Sequence, residues 1–96
     1  MSDNYSGVIY YMNFGNIVIL NISLNCDTNI PSQQNTELFA LLNAKPKNMV
    51  YCIAQTPQGI NVLCELNTNG QFICCNYNTN IPTNYTLYAQ CIYIRS

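Results

Sequence analysis

The chain has 96 residues, enough for one domain with a small core. Charged residues make up 7% of it and the net charge is −1, where an ordinary soluble protein is about 25% charged. Its only cations are Lys45, Lys47 and Arg95, so there is no basic surface to neutralise phosphates or attract anionic lipid, which excludes nucleic acid and electrostatic membrane attachment. Solubility falls instead to Asn, Thr, Gln, Ser and Tyr, and a neutral polar surface of that kind suits a saccharide or a similarly neutral protein. No stretch reaches the roughly 18 apolar residues of a membrane span. Residues 1–6 lack the basic-then-apolar pattern of an export signal and are expected to form a flexible N-terminal segment.

A first strand is expected over residues 8–12, where β-branched and aromatic side chains dominate. Asn13-Phe14-Gly15-Asn16 then turns the chain into its longest apolar run, residues 17–24, so that the two strands pair as a hairpin. In the second half of that run Leu20, Ile22 and Leu24 alternate with Asn21 and Ser23, the period of a strand with one face in a core. In the first half, Ile17 and Ile19 make the other face apolar too. A domain of this size has little protein with which to cover both faces of a strand, so this end is expected to meet another chain or a second sheet. A polar loop over 25–35 leads to a third strand over 36–42.

Residues 43–48 form a turn region that carries Lys45 and Lys47. Residues 49–55 alternate again, with Val50, Cys52 and Ala54 set against Met49, Tyr51 and Ile53. After the turn tetrad Thr56-Pro57-Gln58-Gly59, residues 60–66 place Ile60, Val62, Cys64 and Leu66 on one face. Asn67-Thr68-Asn69-Gly70 is the clearest hairpin signal, because Asn-Gly accepts positive φ. Residues 71–77 return, with Phe72 and Cys74 opposite Ile73 and Cys75. A polar turn over 78–84 precedes the last strand, 85–94. There Tyr85, Leu87, Ala89, Cys91 and Tyr93 face one way and Thr86, Tyr88, Gln90, Ile92 and Ile94 the other, so its end is again apolar on both sides.

No helix-length periodic segment with caps is present. Strands with regular turns predict an all-β chain: a single antiparallel β-sandwich domain over 1–96, jelly-roll-like, with about seven to eight strands. The tetrapeptide Thr28-Asn29-Ile30-Pro31 recurs as Thr79-Asn80-Ile81-Pro82. Two copies are too few for a repeat architecture and suggest two similar loops at one end of the sandwich.

The chain has no histidine, which removes the usual nucleophile–base pairs and imidazole metal sites. Of the carboxylates Asp3, Asp27, Glu37 and Glu65, only Asp27 and Glu37 could approach through the loop between them, and their spacing does not demand it. Six cysteines, at 26, 52, 64, 74, 75 and 91, invite a disulfide framework. Most of them also fall where a strand wants a small apolar side chain, and without an export pattern the compartment rule favours reduced thiols. Cys74 and Cys75 point to opposite faces of a strand and cannot share a metal ion. No catalytic residue, metal site or cofactor is expected.

The tyrosines carry more. Aromatic rings beside Asn amides are how proteins hold neutral sugars: the ring covers the apolar C–H face, and the amide donates and accepts hydrogen bonds. Tyr77 and Tyr85, flanking a loop with Asn78 and Asn80, are the candidate carbohydrate-binding residues. Core and interface packing is the competing reading of the same rings.

Four features taken together resemble a known family. They are Gly7-Val8-Ile9-Tyr10-Tyr11 followed by Gly15-Asn16-Ile17-Val18; a strand ending in Lys45-Pro46-Lys47; the hairpin Leu66-Asn67-Thr68-Asn69-Gly70-Gln71-Phe72; and a closing strand after Ile81-Pro82. In this order and spacing they resemble the C-terminal β-sandwich head domains of phage tail-fibre and baseplate receptor-binding proteins. The resemblance implies a non-enzymatic homotrimeric head on the virion's tail tip, assembled in the host cytoplasm among other tail proteins. Such a head binds a host-surface saccharide or protein receptor without inserting into the membrane. It also implies that Ile17, Ile19, Ile92 and Ile94 form the oligomer interface. Two other readings remain open: a purely structural tail or baseplate domain, and a secreted, disulfide-bonded, lectin-like module.

Overall fold

The computed structural model of the chain describes residues 5–76 and 80–96. Seven strands follow one another: β1 (Tyr5–Phe14), β2 (Ile17–Cys26), β3 (Gln34–Ala40), β4 (Val50–Gln55), β5 (Asn61–Leu66), β6 (Gln71–Asn76) and β7 (Thr86–Ile94). All neighbouring pairs are antiparallel, in the order β1-β2-β7-β4-β5-β6-β3. The expected all-β antiparallel class of about seven strands is therefore what the chain adopts. The two layers that enclose the core belong to one continuous sheet, curled into a half-barrel.

Strand alternation decides which residues enter the concave side. β2 sends in Val18, Leu20, Ile22, Leu24 and Cys26, and β7 sends in Leu87, Cys91 and Tyr93. From the other half of the sheet come Val62, Cys64 and Leu66 of β5 with Phe72 and Cys74 of β6. All belong to a single buried cluster. Within it the rings of Phe39 and Phe72 stack with centroids 4.8 Å apart and planes 15° apart.

Three strands depart from their expected bounds by two residues or more: β1, β3 and β2, which runs on through Asn25 and Cys26. Tyr5 and Ser6, expected in a flexible N-terminal segment, are instead the first residues of β1. Tyr5 pairs with Cys26 at the far end of β2 and its ring is buried, so the aromatic side chain extends the hairpin beyond the apolar run. β3 begins and ends two residues earlier than expected. A bulge between Glu37 and Phe39 turns both Leu38 and Phe39 inward, which a period of two cannot show. Leu42, expected inside this strand, lies beyond it and is 88% exposed.

The loops are tied to the sheet. Pro46 forms an isolated bridge with Arg95, flanked by Lys47 N–H donating to the Ile94 carbonyl at 2.8 Å and Ser96 N–H to that of Lys45 at 3.0 Å. The buried Tyr93 hydroxyl donates to the Ala44 carbonyl at 2.6 Å. Ile30 and Ile81, from the two similar tetrapeptides, form a second isolated bridge at the other end of β2 and β7. The expectation that these loops share one end of the fold holds.

Candidate binding groove at the β4–β7 seam

The convex face of β1, β2 and β7 can be read row by row from the strand register. Phe14, Ile17 and Ile94 form one row, and Met12, Ile19 and Ile92 the next. Then come Tyr10, Asn21 and Gln90, and after them Val8, Ser23 and Tyr88. Half of the face is thus an apolar block, and the half next to it is polar with tyrosines at its sides. The four residues expected at an oligomer interface (Ile17, Ile19, Ile92 and Ile94) are brought together in that block. Phe14, Ile92 and Ile94 are each more than half exposed, and Met12 and Ile17 nearly so.

Beyond β7 the sheet is only lightly joined. β4 pairs with β7 through the single partnership of Gln55 with Tyr88, where β2 and β7 pair along their whole length. This weak seam adjoins the polar rows and opens a groove of about 610 Å³, within the roughly 300–1,000 Å³ of small-ligand sites. Asn21, Ser23 and Gln90 make its floor. Tyr10 from β1 stands on one side, with Ile53 and Gln55 from β4 on the other and Tyr88 beside them. Tyr10 is 58% and Tyr88 50% exposed, so both rings offer surface to solvent. β1 and β7 lie two strand spacings apart, about 10 Å, room for one flat ring between side walls.

The floor is ordered by its own hydrogen bonding. Gln90 Nε2 donates to Asn21 Oδ1 at 3.0 Å across the β2–β7 pair. That contact fixes both amides and leaves the Asn21 NH₂ and the Gln90 carbonyl oxygen as donor and acceptor for a ligand. No lining side chain is charged, and none is a carboxylate, thiol or base. The groove therefore provides ring faces, a hydroxyl and neutral amides: the recognition chemistry of an uncharged polyol.

Of the four residues expected to bind carbohydrate, two can be placed. Tyr77 and Asn78 fall outside the described residues. Asn80 is exposed, and its Oδ1 accepts the Ser32 N–H at 2.7 Å. Tyr85 is half-buried against the core, and its carbonyl accepts the Cys26 N–H at 2.9 Å. Neither lines the groove. Of the residues that do so, Asn21, Ser23, Tyr88 and Gln90 were legible only as one face of an alternating strand. Bringing Tyr10, Asn21 and Tyr88 together requires β2 to sit between β1 and β7, which no local pattern states.

Other reactive groups are dispersed or packed. Glu37 accepts a hydrogen bond from Gln71 Nε2 on the outer surface, and Asp27 is exposed beyond β2. Among the described residues no three His, Cys, Asp or Glu side chains are grouped to hold a metal ion. All six cysteines are free thiols. Cys74 is in the core, whereas Cys75 turns to the other face near Glu65; burial, and then that carboxylate, push the Cys75 thiol up. No protein-family model matches the chain, and no curated protein matches it.

Proposed function

We propose that this domain is a non-enzymatic binding head that recognises a neutral cell-surface saccharide, in the manner of the phage tail heads its sequence resembles. The observation that carries the reading is the seam groove, where Tyr10 and Tyr88 flank the hydrogen-bonded amides of Asn21 and Gln90 with no charged side chain among them. A pyranose ring set against a tyrosine would bury its C–H face, while its hydroxyls meet the amides and Ser23. The apolar block beside the groove would be covered by sister subunits in a homotrimer. Repetition of a weak site around a threefold axis raises avidity on a polysaccharide, and a tail tip needs that.

Screening the protein on an array of neutral bacterial-surface glycans, followed by titration of the hits against Tyr88→Ala and Asn21→Ala, tests this. Loss of binding in both variants with an unchanged circular dichroism spectrum is expected. Silence across the array, or hits unaffected by either change, would sink the saccharide reading. The exposed block of Met12, Phe14, Ile17, Ile92 and Ile94 favours a second reading, a structural tail domain that uses this face to hold neighbouring proteins. That reading predicts self- or hetero-association without glycan binding.

A further inference from the structure

Four of the six cysteines lie in a line across four adjacent strands. Cys64 is the direct partner of both Cys52 on β4 and Cys74 on β6. Starting from the Gln55–Tyr88 pair, three residues back along β4 and three forward along β7 bring Cys52 opposite Cys91. The sulfurs confirm this register: Cys91 Sγ donates to Cys52 Sγ at 3.0 Å. Cys52 and Cys91 face each other on the stretch of the seam where backbone pairing between β4 and β7 is missing.

We propose that Cys52 and Cys91 are an oxidation site: a dithiol that converts to a cross-strand disulfide and staples the β4–β7 seam. Their sulfurs already lie 3.0 Å apart, against the ~2.05 Å of a disulfide bond. A bond therefore needs the sulfurs to close by only about 1 Å. The two thiols have different roles. Cys52 is partly exposed, while Cys91 is buried at 2% exposure. The hydrogen bond from Cys91 favours the Cys52 thiolate, lowering its pKa, and raises that of Cys91. Cys52 is the sulfur that meets an oxidant first, with Cys91 as the resolving thiol.

With hydrogen peroxide as oxidant the step balances. The Cys52 thiolate attacks one peroxide oxygen, the O–O bond breaks, and protonation of the departing hydroxide gives one water and Cys52 sulfenic acid. Cys91 sulfur then attacks the Cys52 sulfur, the S–OH bond breaks, and the Cys91 proton leaves with the hydroxyl as a second water. The two sulfurs together lose two electrons and the peroxide gains them. The product closes a 39-residue separation across the least-paired junction of the sheet. The inference is independent of what the groove binds.

The test oxidises the whole chain with a slight excess of hydrogen peroxide, unfolds it in guanidinium chloride with iodoacetamide so that the buried thiols are alkylated too, and digests with pepsin at low pH without reduction. A peptide pair joined through Cys52 and Cys91, with the other cysteines alkylated, is expected. So is a rise in Tm on the order of 10 °C that dithiothreitol reverses and Cys91→Ser lacks. Cys64→Ser should keep the linked pair. Full alkylation of all six thiols after peroxide, or a Cys52–Cys64 link in place of Cys52–Cys91, would overturn the assignment. The wild-type map decides between these outcomes even if a variant does not fold.

Discussion

Ile30 and Ile81 exchange two backbone hydrogen bonds, Ile30 N–H to the Ile81 carbonyl at 2.8 Å and Ile81 N–H to the Ile30 carbonyl at 2.9 Å. Each is the third residue of a Thr-Asn-Ile-Pro tetrapeptide, and each side chain is fully buried. The connection from β2 to β3 and that from β6 to β7 are thereby locked to each other. Neither loop could bury its isoleucine with unpaired backbone groups beside it at low cost. The mutual bridge satisfies both at once, and the Ser32 N–H to Asn80 Oδ1 contact extends it.

Truncating either isoleucine should be costly, and the two should not act independently. Ile30→Ala and Ile81→Ala are each expected to lower stability by about 2–5 kcal/mol, a large share of the roughly 5–15 kcal/mol of a small domain. Bridged neighbours couple, so the double variant should lose less than the two single losses added, by about 0.5 kcal/mol or more. Urea unfolding of the three variants measures this. Simple additivity would mean that the two loops are held separately.

Gly70 ends the Asn67–Gly70 turn at φ 86°, and Leu41 N–H donates to its carbonyl at 2.8 Å. A Cβ built there would lie 2.8 Å from the Leu41 carbonyl oxygen and 3.2 Å from Lys45 Cγ. Gly59 has a similar φ, 91°, but open space around it. Gly59→Ala should therefore cost only the left-handed backbone strain, about 1–2 kcal/mol. Gly70→Ala should cost that plus about 1–3 kcal/mol of overpacking. Equal losses in thermal or urea denaturation would show that the approach of Leu41 is not constrained.

Much of this fold was legible because its signals are local. Leu20, Ile22 and Leu24 announce the inner face of β2, Asn69-Gly70 announces the β5–β6 hairpin, and the outward positions of Tyr88, Ile92 and Ile94 follow from alternation in β7. What escaped reading comes from long-range pairing. Leu38 and Phe39 both turn inward only because β3 bulges against β6. The groove exists because Asn21 and Gln90, 69 residues apart, meet across β2 and β7. The repeated tetrapeptide was the one long-range contact visible in advance, because two loops of the same sequence can offer each other the same backbone edge.

Tyr93 joins stability to pH. Its buried hydroxyl donates to the Ala44 carbonyl at 2.6 Å, so Tyr93→Phe should strand that acceptor and cost about 1–3 kcal/mol. Burial, and then the neighbouring Cys91 and Tyr11, push the Tyr93 phenol up to about 12, with Arg95 opposing. Burial, and then Cys74 and Asp27, push the Cys26 thiol up to about 11. Both groups hold their protons more tightly folded than unfolded. Their contribution is complete below the ordinary cysteine and tyrosine values and is lost as pH climbs through about 9 to 12. The urea midpoint should fall over that window, and less steeply in Tyr93→Phe. A midpoint flat from pH 9 to 11 would contradict the burial of these protons.

The apolar block on the convex face gives the last prediction its sign. Ile92 and Ile94 are 61% and 57% exposed, and Phe14 is 60% exposed, in adjacent rows with Met12, Ile17 and Ile19. Water contact with such a block is unfavourable by about 25 cal/mol per Å², whereas these side chains contribute little to the concave core. If the block is the contact between subunits of the proposed homotrimer, Ile92→Asn with Ile94→Asn should leave the folded spectrum and urea midpoint of the isolated subunit nearly unchanged. The solution mass by light scattering should fall from three chains to one. Outward substitution costs the monomer little because both positions alternate with Cys91 and Tyr93, which keep β7 anchored from the inside. A wild-type chain that scatters as a monomer at high micromolar concentration would remove the proposed trimer.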